Sequence, residues 1–111
     1  MEKLVQDGKV AVLHSKGWGI PWATCHPETM FDPKLIQLFL EWQSHPLDSL
    51  KEFMVEDRAY FYLQDKYPDV VFRGFGELTV TWLPEGQEFI IREYDGVEIL
   101  VLKEEIKWLK A

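Results

Sequence analysis

Cys25-His26 sets a thiol beside an imidazole, and a cysteine nucleophile needs a base to take its proton. Adjacent residues rarely point at each other, so the base would be His14 or His45 brought across the fold. The plainer reading is a small, semi-buried side chain in a loop. His26-Pro27-Glu28 repeats the His-x-Glu half of a zinc deaminase signature, but the Pro-Cys-x-x-Cys half is missing, which excludes that chemistry. His14, His26 and a carboxylate lack the close-spaced pair on which metal sites are built, so neither metal nor cofactor is expected. Glu85 with Glu88, and Glu93 with Glu98, could act as acid and base in a cleft; beside turns they are ordinarily solvated. No residue is assigned a catalytic role.

Binding has a better candidate in Ser15 to Ala23, SKGWGIPWA, where Gly17, Gly19 and Pro21 punctuate two tryptophans. Glycine permits sharp turns and proline fixes φ, so Trp18 and Trp22 would sit on a stiff loop. They either lid the core or line a pocket or partner surface. Candidate ligand- or partner-binding residues are therefore Trp18, Gly17, Gly19 and Trp22, flanked by His14 and His26. The loop lacks the Gly-Lys-Ser/Thr ending of a phosphate loop and the Gly-x-Gly-x-x-Gly fingerprint.

The elements that must hold this loop follow from periodicity. Two strand, Asp-Gly, strand patterns flank the chain: Lys3 to Gln6 with Lys9 to His14 around Asp7-Gly8, and two β-branched and aromatic runs on either side of Asp95-Gly96 within Leu78 to Leu102. The near-continuous apolar run Val10 to Leu13 predicts a central strand covered on both faces. In the second hairpin a two-residue loop would set Glu93 opposite Glu98, unfavourable by roughly 0.2–1 kcal/mol. A three-residue loop, Tyr94-Asp95-Gly96, sets Arg92 opposite Glu98, Ile91 opposite Ile99 and Phe89 opposite Val101, and is the register expected. It turns Phe89, Ile91, Val97, Ile99 and Val101 toward the core.

Asp32-Pro33 announces a helix with Leu35, Leu38, Phe39 and Trp42 as its stripe, widened by Ile36 and Leu40 and closed at Ser44-His45-Pro46. A second helix begins at Asp48 or Ser49 and ends at Tyr67-Pro68-Asp69, with Leu50, Phe53, Met54 and Phe61 near one side. Val70 to Phe72 reads as a short extended piece, and Leu78 to Trp82 as a half-buried strand. Residues 103–111 read as a short helix or last strand, with Ile106, Trp108 or Leu109 as anchors. The order ββααβββ predicts an α+β fold: an antiparallel sheet of about five strands with two helices packed on one face.

The 111 residues bound a single domain able to bury roughly two-thirds of its unfolded surface. A net charge of −7 without a basic cluster argues against nucleic-acid binding, and the acids are too scattered among lysines for nucleic-acid mimicry. One cysteine, no long apolar run and no signal-peptide pattern predict a cytoplasmic protein with no membrane partner.

KVAVLHSKGWGIPWAT, FDPKLIQL and LTVTWLPEGQEFIIREYDGVEILVL together resemble a family of small proteins of tailed bacteriophages and some bacteria, over most of the chain. The resemblance implies a similar fold and a phage or prophage origin; that family carries no established activity to transfer to residues here. The expected role is a non-catalytic accessory protein that binds a host protein, a small ligand or a second copy of itself. A small hydrolase or transferase using Cys25 and His26, and a minor virion component, are the alternatives.

Overall fold

The computed structural model describes residues 2–111. Seven regular elements run in the order expected: β1 (Val5–Gln6), β2 (Lys9–Ser15), α1 (Pro33–Gln43), α2 (Ser49–Lys66), β3 (Leu78–Pro84), β4 (Phe89–Tyr94) and β5 (Val97–Leu102). All strand pairs are antiparallel. The five strands divide into a three-stranded sheet, β1-β2-β3, and a separate β4-β5 hairpin.

β2 is the central strand that its apolar run predicts, and all of it beyond Lys9 is buried. Ala11 and Leu13 face the main core with Leu35, Ile36 and Phe39 of α1, Val55, Ala59 and Leu63 of α2, and Phe75. Val10, Val12 and His14 alternate to the other face, where the hairpin lies against them. Helices, sheet and hairpin thus form three layers, with extents of 55 × 32 × 28 Å. Among the described residues no helix is long and apolar enough to cross a membrane.

Both hairpins close with two-residue loops. Asp7 and Gly8 have φ of 53° and 75°, Asp95 and Gly96 of 49° and 93°. Positive φ at both central residues defines the type I′ turn, whose twist matches that of the strands it joins. The register of β4 and β5 therefore sets Glu93 opposite Glu98, Arg92 opposite Ile99 and Phe89 opposite Leu102. This overturns the three-residue loop expected from charge pairing. The shift of one residue exchanges the faces of β5, so Ile99 is 57% exposed while Glu98, expected on the polar face, is 2% exposed; in β4, Phe89 and Ile91 keep the half-buried face expected of them. The repulsion between facing glutamates is small beside what Glu98 gains by turning inward onto backbone donors of the Gly/Trp loop.

Asp32 caps α1 as expected, its Oδ1 accepting from the Leu35 N–H at 3.0 Å, and Pro33 occupies the first turn. Asp48 caps α2 through the Lys51 N–H at 3.0 Å. The inward face of α2 is Val55, Ala59 and Leu63; Leu50, Phe53, Met54 and Phe61, which the sequence places near one side, point to solvent. Val70 to Phe72 has no strand pairing, although Val70 and Phe72 pack against the core. After β5 a single 3-10 turn, Lys103–Glu105, precedes an irregular end in which Ile106 is half-buried but Trp108 and Leu109 are exposed.

Candidate functional site

The Gly/Trp loop leaves β2 at Ser15 and is clamped from two sides. Peptide N–H groups of Lys16 and Gly17 donate to the Glu77 carbonyl at 2.8 and 3.3 Å, and the Gly19 N–H donates to the Asp95 carbonyl at 2.9 Å. The second contact presses the loop against the hairpin turn. A Cβ on Gly96 would fall onto the Gly19 backbone, so this approach needs glycine for space as well as for its φ.

Glu98 is the centre of the clamp. Its Oε1 accepts from the peptide N–H of Ser15 at 2.7 Å, Ala23 at 2.9 Å and Trp22 at 3.3 Å, while Oε2 accepts from Thr24 at 2.7 Å. Converging backbone donors form an anion nest, filled here by a side chain of the protein itself. Burial by itself raises the pKa of this carboxyl, but donors from Ser15, Ala23 and Thr24 outweigh that and hold it below the ordinary glutamate value of 4.5. The loop is thus fixed to the hairpin by a buried, ionised carboxylate.

His14 lies beside it. Nε2 is 2.7 Å from the Thr81 hydroxyl oxygen, and Nδ1 is 3.2 Å from the Glu98 carbonyl and 3.3 Å from the Ser15 carbonyl. Only acceptors face Nδ1, which places the proton there and leaves Nε2 to accept from Thr81. Burial lowers the His14 pKa below 6.5, partly opposed by the Ser15 and Glu98 carbonyls and the Glu98 charge. Ser15 Oγ donates to the Gly96 carbonyl. A serine, a histidine and a glutamate therefore meet without forming a catalytic triad: the hydroxyl and the carboxylate are both committed to backbone partners, and neither is bonded to the imidazole.

The two tryptophans divide. Trp22 is buried, packed edge-to-face with His26 at 5.2 Å and with Phe72 at 6.2 Å between ring centroids. Its indole N–H is buried with no acceptor among the described residues. Trp18 is 70% exposed and meets Tyr94, itself exposed, edge-on at 6.3 Å. Between them runs a cleft of about 170 Å³ that brings Trp18, Gly19, Trp22 and His26 together, walled opposite by Val71, Arg73 and Glu77. Gly17 stands behind the cleft against Glu77, and His14 is apart, under the hairpin.

Cys25 is exposed, and the His26 ring packs edge-on against the Trp22 indole. No group of three His, Cys, Asp or Glu side chains able to hold a metal occurs among the described residues.

A second polar centre escaped sequence reading. Besides capping α1, Asp32 accepts at Oδ2 from the Tyr62 and Tyr67 hydroxyls, both at 2.7 Å, and from Lys66 Nζ at 3.1 Å. Burial by itself raises its pKa; the Tyr62, Leu35, Tyr67 and Lys66 donors reverse the effect and lower it. Burial and the bond to Asp32 push the Tyr62 phenol up to about 12. A hollow of about 550 Å³ opens beside this cluster, with Glu2, Glu28, Lys34 and Lys66 around it. Its carboxylate and phenols are already paired with one another, which makes the cluster a tie between α1 and α2. In comparisons with known protein families, with curated proteins and with solved structures, the chain matches none.

Proposed function

We propose that this protein acts by binding another protein, through the Trp18–Tyr94 ridge and the cleft behind it, and carries out no catalysis. The observation that carries the reading is the exposed Trp18 on a loop whose backbone is pinned by Glu98: a large aromatic surface held rigid in advance loses little entropy on binding. The size of the cleft selects the class of partner. At about 170 Å³ it falls below the ~300–1,000 Å³ of small-molecule pockets and suits one inserted apolar side chain. Arg73 and Glu77 at its wall offer a charge of each sign to the partner's backbone or flanking residues. The resemblance to small phage proteins supports a phage-encoded accessory role, with a bacterial host protein as partner.

Against a thiol mechanism stands His14, whose ring nitrogens are engaged by the Thr81 hydroxyl and by the Ser15 and Glu98 carbonyls. The test is photo-crosslinking from a photoreactive residue placed at Ile20, on the cleft wall, in host extract, compared with the same protein carrying Trp18→Ala. A discrete adduct that falls at least about tenfold with Trp18→Ala, the melting transition being unchanged, is the expected result. An adduct indifferent to Trp18 overturns the reading.

A further inference from the structure

The outward face of α2 carries large apolar side chains toward both ends, with the exposed Asp57 and Gln64 among them. Leu50, Phe53, Met54 and Phe61 are 67, 64, 56 and 61% exposed, with Tyr60 beside them, while Val55, Ala59 and Leu63 on the opposite side are packed in the core. A helix with apolar residues on two opposite faces is built to be covered on both. We propose that the outward face pairs with the same face of a second copy of this chain, the two α2 helices running antiparallel about a twofold axis between Asp57 and Arg58.

Two features of the face select a second copy over a foreign protein. The first is self-complementarity. Helical spacing puts Leu50, Phe53 and Met54 to one side of that axis and Tyr60 and Phe61 to the other, so the antiparallel arrangement sets Met54 on the partner's Phe61 and Phe53 beside the partner's Tyr60, each contact made twice. The flanking charges obey the same symmetry. Lys51 comes within a turn of the partner's Asp65, whereas parallel pairing would set Lys51 on Lys51. The second feature is size. Four large side chains more than half exposed, with Tyr60 and the charged flanks, offer an area on the order of the ~800 Å² per partner that stable interfaces bury.

This surface shares no residue with the Trp18 cleft, so the pairing does not rest on the proposed binding function. Sedimentation velocity of the full chain decides it. The expected species has twice the 13.1 kDa chain mass, and Met54→Glu weakens it by on the order of a hundredfold. Leu50→Gln is the milder change on the same face should that charge disturb folding. Lys51→Glu weakens the dimer about tenfold, and adding Asp65→Lys restores it. A chain that stays monomeric at every concentration, a dimer indifferent to Met54→Glu and Leu50→Gln, or a charge exchange that fails to restore pairing each overturns the proposal. Capture of a foreign protein on this face by a monomeric chain does so too.

Discussion

Replacing Glu98 by alanine would leave four peptide N–H groups, those of Ser15, Trp22, Ala23 and Thr24, without their acceptor. Buried donors left unpaired cost about 1–3 kcal/mol each where water cannot reach them; partial relaxation of the loop brings the expected loss to about 3 kcal/mol. Glu98→Gln keeps one acceptor oxygen but turns an amide NH₂ toward a donor, so its loss is smaller, about 2 kcal/mol. Urea unfolding of the two variants measures both, and a loss under about 0.5 kcal/mol for Glu98→Ala would mean that the nest is not holding the loop. Trp18→Ala, at an exposed position, is expected to stay within about 0.5 kcal/mol of the parent. These residues differ in how far sequence can reveal them. Asp32 is legible because a cap and its N–H partner lie three residues apart. Glu98 is not, since its partners lie 74 to 83 residues away and its neighbours make it look like an exposed strand charge. Trp18 and Trp22 carry the same local signals, and only the packing of Phe72 and His26 on one of them separates surface from core.

At the scale of elements, the Asp-Gly pairs mark where both hairpins turn, but charge pairing points to the wrong register for the second. The turn residues outweigh the facing glutamates because Asp95 accepts a φ of 49° and Glu98 has somewhere else to put its charge. The two turn glycines offer a controlled comparison. Gly8 has φ 75° and open space where a Cβ would stand, so Gly8→Ala is expected to cost about 1 kcal/mol, from backbone strain only. Gly96 has φ 93° and the Gly19 backbone in the way, so Gly96→Ala is expected to cost about 3 kcal/mol and to free the loop that carries Trp18. Thermal melts of the two variants check the difference; equal losses would show that the loop does not depend on contact with the turn. The existence and ends of both helices are legible from caps and prolines, whereas the facing of α2 is not. Its large apolar side chains form the more conspicuous stripe, yet Val55, Ala59 and Leu63 face inward because α1 and Phe75 crowd that side and admit only smaller groups toward Ala59.

For the molecule as a whole, the buried polar groups tie elements together within and between layers and set how stability answers to pH. His14 joins sheet to hairpin, Glu98 joins hairpin to loop, and Asp32 joins α1 to α2. All three have folded-state pKa values below their ordinary ones of 6.5, 4.5 and 3.8. For each, the unfolded chain takes up its proton at higher pH than the folded one, so stability is full above the ordinary value and is lost as pH falls. The acid limb should therefore have two stages, a first beginning near pH 6.5 as the unfolded chain gains the His14 proton, and a second below about 4.5 from Glu98 and Asp32. At the alkaline end the sign reverses. Burial and Asp32 hold the Tyr62 phenol protonated to about 12, against 10.0 in the open chain, so its contribution is full below pH 10.0 and is lost as pH rises through that window. The acid limb is the sharper test, because one substitution separates its stages. His14→Asn retains an amide donor for the Glu98 carbonyl but cannot take a proton, so urea midpoints should become flat between pH 6.5 and 4.5 while the steeper fall below 4.5 remains. A slope between pH 6.5 and 4.5 that persists in His14→Asn would place the titrating group elsewhere and remove His14 from the joint between sheet and hairpin.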